Sequence, residues 1–264
     1  MIIDFHTHVF PDRIAERAVS SMAAACGMLG PHIEASVDVL ISELRRVDVD
    51  KAVALNIATS PQNMRAVNDF AQSLTAYDEL IPFGSVHPAA PDALDELARI
   101  AEAGLKGVKF HPENQGFCVT EDRLIPIYEK ISRLGLICVF HAGMDLRYRG
   151  CAYCSPEQFS AILPAFSSPV VLAHMGGYML WEDVLKHLAG RDVYLDTAYT
   201  YGTMPRPLAA ELVNVHGADK ILLGSDSPWM GIGEHARMVA LWGQNEEDTR
   251  KILGENARKL LCLE

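Results

Sequence analysis

The sequence predicts an α/β protein folded as a closed (β/α)₈ barrel. Eight apolar runs of strand length recur along the 264 residues, separated by segments with helical periodicity. The runs are mostly unbroken, as expected for parallel strands buried on both faces. An open doubly wound sheet is the competing architecture. It should carry a Gly-rich turn after its first strand, and Asp4–Pro11 contains no glycine.

The expected strands are Met1–Phe5, Lys51–Ile57, Ile81–Val86, Gly107–Phe110, Ile137–Phe140, Val170–Ala173, Val193–Asp196 and Ile221–Leu223. The stretch from His8 to Lys51 is too long for one helix and a loop. An extra short helix is therefore expected near Pro11–Ala25, over the mouth of the barrel. Ser36 begins a segment whose Val37, Leu40, Ile41, Leu44 and Val47 form one helical stripe. Ser60-Pro61 places an N-cap before a proline at the first helical position. Helices over Pro91–Ala103, Pro126–Leu134 and Tyr178–Ala189 are each followed by glycine, at Gly104, Gly135 and Gly190. Ser155-Pro156-Glu157-Gln158 reads as a capping box. Asn245-Glu246-Glu247-Asp248 caps the last helix and puts carboxylates at its positive end. No linker, repeat or low-complexity segment divides the chain, so one domain over 1–264 is expected.

Composition narrows the function. Hydrophobic residues make up 49% and charged residues 22%, ordinary for a globular enzyme. A net charge of -11 argues against nucleic acid or an anionic membrane as partner. It leaves an anionic small-molecule substrate open, because a metal and a few cations reverse the sign locally. No run of about 18 apolar residues suggests a membrane span, and no basic leader precedes the first strand. The six cysteines form no dense framework. They read as reduced thiols of a cytoplasmic protein.

The chemistry collects at strand ends. Residues two apart in a strand point to the same side, so His6 and His8 can aim two imidazoles at one divalent ion. Strand four ends in Lys109-Phe110-His111-Pro112, strand five in His141-Ala142-Gly143, strand six in His174-Met175-Gly176-Gly177 and strand eight in Ser225-Asp226-Ser227. In a barrel these C-terminal ends share one face.

This set resembles the amidohydrolase superfamily, and within it the amidohydrolase-related (amidohydrolase 2) branch of metal-dependent TIM-barrel hydrolases and decarboxylases. The resemblance runs from Asp4-Phe5-His6-Thr7-His8 through Gly107–Pro112 and Ala173–Gly177 to Gly224-Ser225-Asp226. It implies that the strand-one pair is His6 and His8, the strand-five histidine His141, the strand-six histidine His174 and the strand-eight aspartate Asp226. His6, His8, His141 and Asp226 then offer three nitrogens and one oxygen. That set suits zinc(II) with room for a water, whose pKa the metal lowers. Asp226 is expected both as ligand and as general base, and His174 as the group that polarises the substrate carbonyl.

One ion is expected. The alternative is a pair of ions, with Lys109 carboxylated and His174 ligating. His111 is placed to orient a ligand or to contact substrate. Arg147 and Arg149 can hold a substrate carboxylate in a fork geometry. Tyr199 and Tyr201 can line the pocket. Cys151 and Cys154 read as loop thiols, because no second Cys or His pair follows them. No strand-end role falls to His32, His187, His216 or His235, whereas His87 follows strand three closely enough to be a further candidate.

The expected activity is metal-dependent hydrolysis of a small lactone, amide or ester. The alternatives are non-oxidative decarboxylation of an aromatic or unsaturated acid, and hydration of an unsaturated acid. No long insertion suggests the dimer arm of some decarboxylating relatives, although a homodimer remains among the expectations.

Overall fold

The computed structural model describes residues 1–28, 30–148, 150–242 and 245–263. Its strands are β1 (Ile3–Thr7), β2 (Lys51–Leu55), β3 (Leu80–Phe83), β4 (Gly107–Phe110), β5 (Ile137–Phe140), β6 (Val170–Leu172), β7 (Tyr194–Asp196) and β8 (Ile221–Leu222). They pair in parallel in the order β1-β2-β3 and β4-β5-β6-β7-β8. Backbone hydrogen bonds join these two groups at both seams. Gly84 N donates to Gly107 O at 2.9 Å and Lys109 N to Gly84 O at 2.8 Å, linking β3 to β4. Phe5 N donates to Leu223 O at 2.7 Å and Asp226 N to His6 O at 2.9 Å, linking β1 to β8. The ring is a (β/α)₈ barrel, as the sequence predicts.

The core has layers. Ile3, Phe5, Val53, Leu55, Phe83, Val139, Val171 and Leu222 form one buried cluster. Side chains from six strands can meet only inside the ring. Ala257 and Leu261 of the C-terminal segment close this cluster from below. The opposite faces of the strands pack against helices: Val108, Phe110, Cys138, Phe140, Leu172 and Leu195 join the larger cluster outside the barrel. Simple alternation would send adjacent Phe5 and His6 to opposite sides of β1. The register of β1 against β2 shifts between Asp4 and Thr7. This bulge lets Phe5 fill the barrel floor while His6 also turns inward above it.

The extra helix after β1 spans Asp12–Cys26 and ends on Gly27 at φ 68°, a left-handed position suited to glycine. Ala15, Val19 and Ala23 face inward, and Met22 and Cys26 reach the pocket at the barrel mouth. At 15 residues it is not short. The capping boxes at Ser60 and Ser155 form, with Asn63 and Gln158 as partners. Asn245 accepts from Asp248 N as expected. The helix expected over Tyr178–Ala189 begins instead at Trp181 and ends at His187. Tyr178 is held elsewhere: it bridges to Gly143, and its carbonyl accepts from Met144 N at 2.9 Å. The helix expected from Pro91 begins at Ala93. Two helices, Arg206–His216 and Ile232–Ala240, were not anticipated. The first had a readable stripe in Ala209, Leu212, Val213 and His216, all buried on one face.

Candidate metal centre

His6, His8 and Asp226 meet at the C-terminal mouth of the ring. His6 Nε2 and His8 Nε2 lie 3.2 Å apart. Asp226 Oδ1 lies 3.3 Å from the first and 3.2 Å from the second. The hydrogen bonds on the far side of each ring settle which nitrogens carry protons. His8 Nδ1 faces Leu55 O at 2.9 Å, and a carbonyl only accepts, so the proton is on Nδ1. His6 Nδ1 faces the buried carboxylate of Asp196 at 2.9 Å and donates to it. Both Nε2 atoms therefore turn bare lone pairs toward each other and toward a carboxylate oxygen. Three acceptors in contact repel unless a cation offsets them, and Lys109 Nζ, 3.4 Å from His6 Nε2, faces one of the three.

The geometry suits one. Ligand atoms about 2.0–2.1 Å from a tetrahedral ion stand about 3.3–3.4 Å apart, close to the observed triangle. The two imidazole planes cross at 74°, so both can contain one point. The residues present fit a divalent metal.

His141 stands outside this triangle. The ring of His174 comes between, with its centroid 5.3 Å from His6 and 4.7 Å from His141. His174 Nδ1 donates to Ala198 O at 2.9 Å, which leaves Nε2 to accept from His141 Nδ1 at 3.0 Å. The Nε2 of His141 is then a lone pair, buried and without a hydrogen-bond partner among the described residues. His141 groups with His111 and Asp145 rather than with the triangle. Both nitrogens of His174 are engaged, so it does not present a donor to a substrate carbonyl in this arrangement.

His111, His141 and Asp145 also bring ligand-type atoms together. Here the rings forbid joint ligation. The imidazoles of His111 and His141 stack with centroids 4.1 Å apart and planes inclined by 6°. Lone pairs lie in the ring plane, and nearly parallel planes share no point near both nitrogens.

Burial governs the charges. It pushes His6 and His141 well below the ordinary imidazole range, helped by Lys109 beside His6 and by His111 beside His141. Burial opposes ionisation of Asp226 as well, and only protons on His6, His8 and His174 would outweigh it and hold the carboxyl well below its usual range. Lys109 is wholly buried, with Nζ 3.4 Å from His6 Nε2. Burial lowers its pKa to about 8, against the pull of Asp196 and Asp226. His111 moves the other way: burial disfavours its charge, but Asp145 and Glu113 raise it overall.

Two carboxylates escaped the sequence reading. Asp196 holds His6 through Oδ2, while its Oδ1 accepts from His174 N and Ala198 N, each at 3.0 Å. The signal was available, since Asp196 ends strand seven much as Asp226 follows strand eight. Asp4 Oδ1 accepts from His6 N at 3.0 Å and Ser225 N at 2.9 Å, tying β1 to the segment that carries Asp226. Burial raises its pKa to about 7. The backbone around the site is bent to fit: His174, Met175, Tyr199 and Asp226 all have positive φ. Such conformations gather where the surrounding structure over-determines them.

The pocket over the triangle has apolar walls that include Phe10, Met22, Met28, Ile57, Tyr199 and Trp229. Its polar lining includes Lys109, His111, Asn114 and Arg147. Tyr201 is not part of it and is exposed. Arg149 lies outside the described residues. Cys154 is buried and Cys151 exposed. His216 and His235 are buried, each with Nδ1 or Nε2 on a backbone group, and His235 lies near enough to Asp226 to feel its charge. No described helix is long and apolar enough to cross a membrane.

A sequence model described as amidohydrolase matches residues 3–263. A search of curated proteins found no match. Among solved structures, an uncharacterised TIM-barrel protein from Bordetella bronchiseptica aligns with a TM-score of 0.77 at 21% identity, covering 99% of this chain and 98% of that one. The 5-carboxyvanillate decarboxylase of Sphingomonas paucimobilis aligns with a TM-score of 0.74 at 15% identity, covering 100% and 99%. A putative 2-pyrone-4,6-dicarboxylic acid hydrolase from Pseudomonas putida aligns with a TM-score of 0.69 at 17% identity, covering 99% and 97%. At these identities the likeness is one of fold.

Proposed function

The chain belongs to the amidohydrolase family, and on that premise we propose that it hydrolyses a small lactone, ester or amide with one bound zinc(II). The observation that carries the reading is the placement of the Asp226 carboxylate, with Oδ1 3.3 Å from His6 Nε2 and 3.2 Å from His8 Nε2. Hydrolysis needs a proton acceptor beside the attacking water. Decarboxylation needs instead a donor that protonates carbon.

His6 Nε2, His8 Nε2 and Asp226 Oδ1 would hold the ion. When bound, such an ion makes water nucleophilic near neutral pH and draws electron density from a carbonyl oxygen. Asp226 takes the proton from the attacking water through its carboxylate. His174 Nε2 can take a proton once His141 releases it, although burial lowers its pKa. A proton placed there makes His174 a donor toward the leaving group and gives it the electrostatic role expected of it. Lys109 stays an ammonium ion and balances Asp196 and Asp226. One ion is favoured over two, because both nitrogens of His174 are engaged and the stacked rings of His111 and His141 offer no second point of convergence.

Decarboxylation is the second reading. Buried Lys109 supplies a proton donor inside the pocket, and the fold is shared with the decarboxylase from Sphingomonas paucimobilis. The two are separated by screening zinc-loaded protein on lactones, esters and amides against aromatic carboxylic acids, with carbon dioxide followed in parallel. Zinc-dependent release of a hydrolytic product is expected. Zinc-dependent carbon dioxide release with no hydrolytic product would overturn the proposal.

A further inference from the structure

The loop after β5 forms one wall of the pocket and carries Arg147. Its ends are closed on each other, Gly143 N donating to Cys154 O at 2.9 Å. Between those ends, side chains that follow β4 reach the loop, and His111 is the first of them. His111 Nε2 meets Asp145 Oδ2 at 3.3 Å. The other oxygen of Asp145 accepts from Arg147 N at 2.7 Å and Tyr148 N at 3.2 Å. One carboxylate thus joins β4 to the turn that presents Arg147.

A second tie reaches the far end of the loop. Glu113 Oε1 accepts from Tyr153 N at 2.9 Å, and Glu113 Oε2 lies 3.5 Å from His111 Nδ1. That nitrogen is also 3.5 Å from Asn114 N, and it can serve only one of them at a time. We assign it to Glu113, whose Oε2 is buried with no other partner among the described residues. A buried carboxylate without a compensating cation is costly, and His111 is the group that faces it. Arg147 itself has no carboxylate partner among the described residues; its guanidinium lies 5.3 Å from the Tyr148 ring centre.

We propose that His111 is a positioning residue: with Asp145 and Glu113 it clasps the β5 loop, so that Arg147 meets a carboxylate group on the substrate. The substrate class that follows is a small apolar molecule bearing a hydrolysable carbonyl and one carboxylate. The apolar walls take the body, and Arg147 takes the anion in fork geometry. The inference rests on the hydrolase reading for its substrate arm but not for the clasp.

Two measurements test it. The first is hydrogen exchange of zinc-loaded protein, read at the Arg147 and Tyr148 amides. His111→Phe keeps a flat ring against His141 and removes both nitrogens. It should raise exchange at these amides about tenfold or more, as should Asp145→Ala. Unchanged protection in a folded His111→Phe protein overturns the clasp, whatever the enzyme hydrolyses. The second compares 4-acetoxybenzoate with phenyl acetate as an anionic and a neutral ester. Arg147→Ala and His111→Phe should each lower the preference for the anionic ester about 10–100-fold, the scale of one charge-assisted contact, with the loss falling on KM. An unchanged preference overturns the substrate arm. Failure of wild-type protein to hydrolyse either ester refutes the hydrolase reading for this ester class and takes the substrate arm with it. The exchange result still decides the clasp. Loss of zinc from His111→Phe would make His111 a ligand and overturn the proposal.

Discussion

Asp196→Asn should weaken metal binding without unfolding the protein. The amide is nearly isosteric with the carboxylate. Its oxygen can keep the bonds from His174 N and Ala198 N. Its NH₂ then faces His6 Nδ1, now 2.9 Å from Asp196 Oδ2. Two donors cannot share that contact, so the imidazole shifts its proton to Nε2. That is the atom on the metal triangle, and a protonated nitrogen does not ligate. Changing a group that orients a ligand in this way typically costs 10–100-fold in metal affinity. At free zinc of 100 times the wild-type Kd, binding stabilises the native state by about 2.7 kcal/mol. A 100-fold weaker variant at the same zinc gains only about 0.4 kcal/mol. For a chain of this size the zinc-induced shift in Tm should shrink from roughly 5–11 °C to roughly 1–2 °C. Calorimetry of apo and zinc-loaded protein, with a chelator-competition titration for Kd, measures both quantities. If Asp196→Asn keeps wild-type zinc affinity while remaining folded, Asp196 does not set the tautomer of His6 and the argument for the triangle fails.

Three other substitutions probe separate links. Asp226→Asn keeps an oxygen at the triangle and removes the basic carboxylate, so turnover should fall by about 10²–10⁴-fold, further than zinc occupancy falls; equal losses measured by kinetics and elemental analysis would reduce Asp226 to a ligand alone. Gly143→Ala places a Cβ against the backbone of Gly177 and Tyr178 at φ +89°, and should destabilise by about 2–5 kcal/mol from left-handed strain plus overpacking; a loss below about 1 kcal/mol in urea unfolding would mean that the two loops yield easily. His216 takes its Gly190 bond at Nδ1 and donates from Nε2 to Val193 O, and burial lowers its pKa. The unfolded chain therefore takes up a proton, at the ordinary histidine value of about 6.5, that the native state refuses, and stability contributed here falls as pH drops through that value. His216→Gln should flatten the dependence of the urea midpoint between about pH 7.5 and 5.5; an unaltered slope would assign the acid sensitivity to other groups.

The barrel itself was legible because its signals are local. A parallel strand covered on both faces reads as an apolar run, and several turns from helix to strand leave a glycine in place, as at Gly104 and Gly135. The His6–His8 spacing and the recurrence of His or Asp at strand ends needed only the knowledge that those ends share a face. Where a neighbouring element decided the outcome, the sequence was silent. Tyr178 looked helical but was taken by Gly143 across the mouth. The bulge that turns both Phe5 and His6 inward depends on the pairing of β1 with β2.

Partnerships across the ring were hidden in the same way. Asp196 stands 190 residues from His6, and only the closed order of strands brings its oxygen to Nδ1. The family resemblance placed His141 beside the other ligands, whereas packing put His174 between them and laid His111 flat against His141. Residue type and strand position thus fixed which groups reach the mouth of the barrel. Which nitrogen of each imidazole is left bare, and which face it presents, depends on hydrogen bonds between strands far apart in the chain, and only the closed ring decides those.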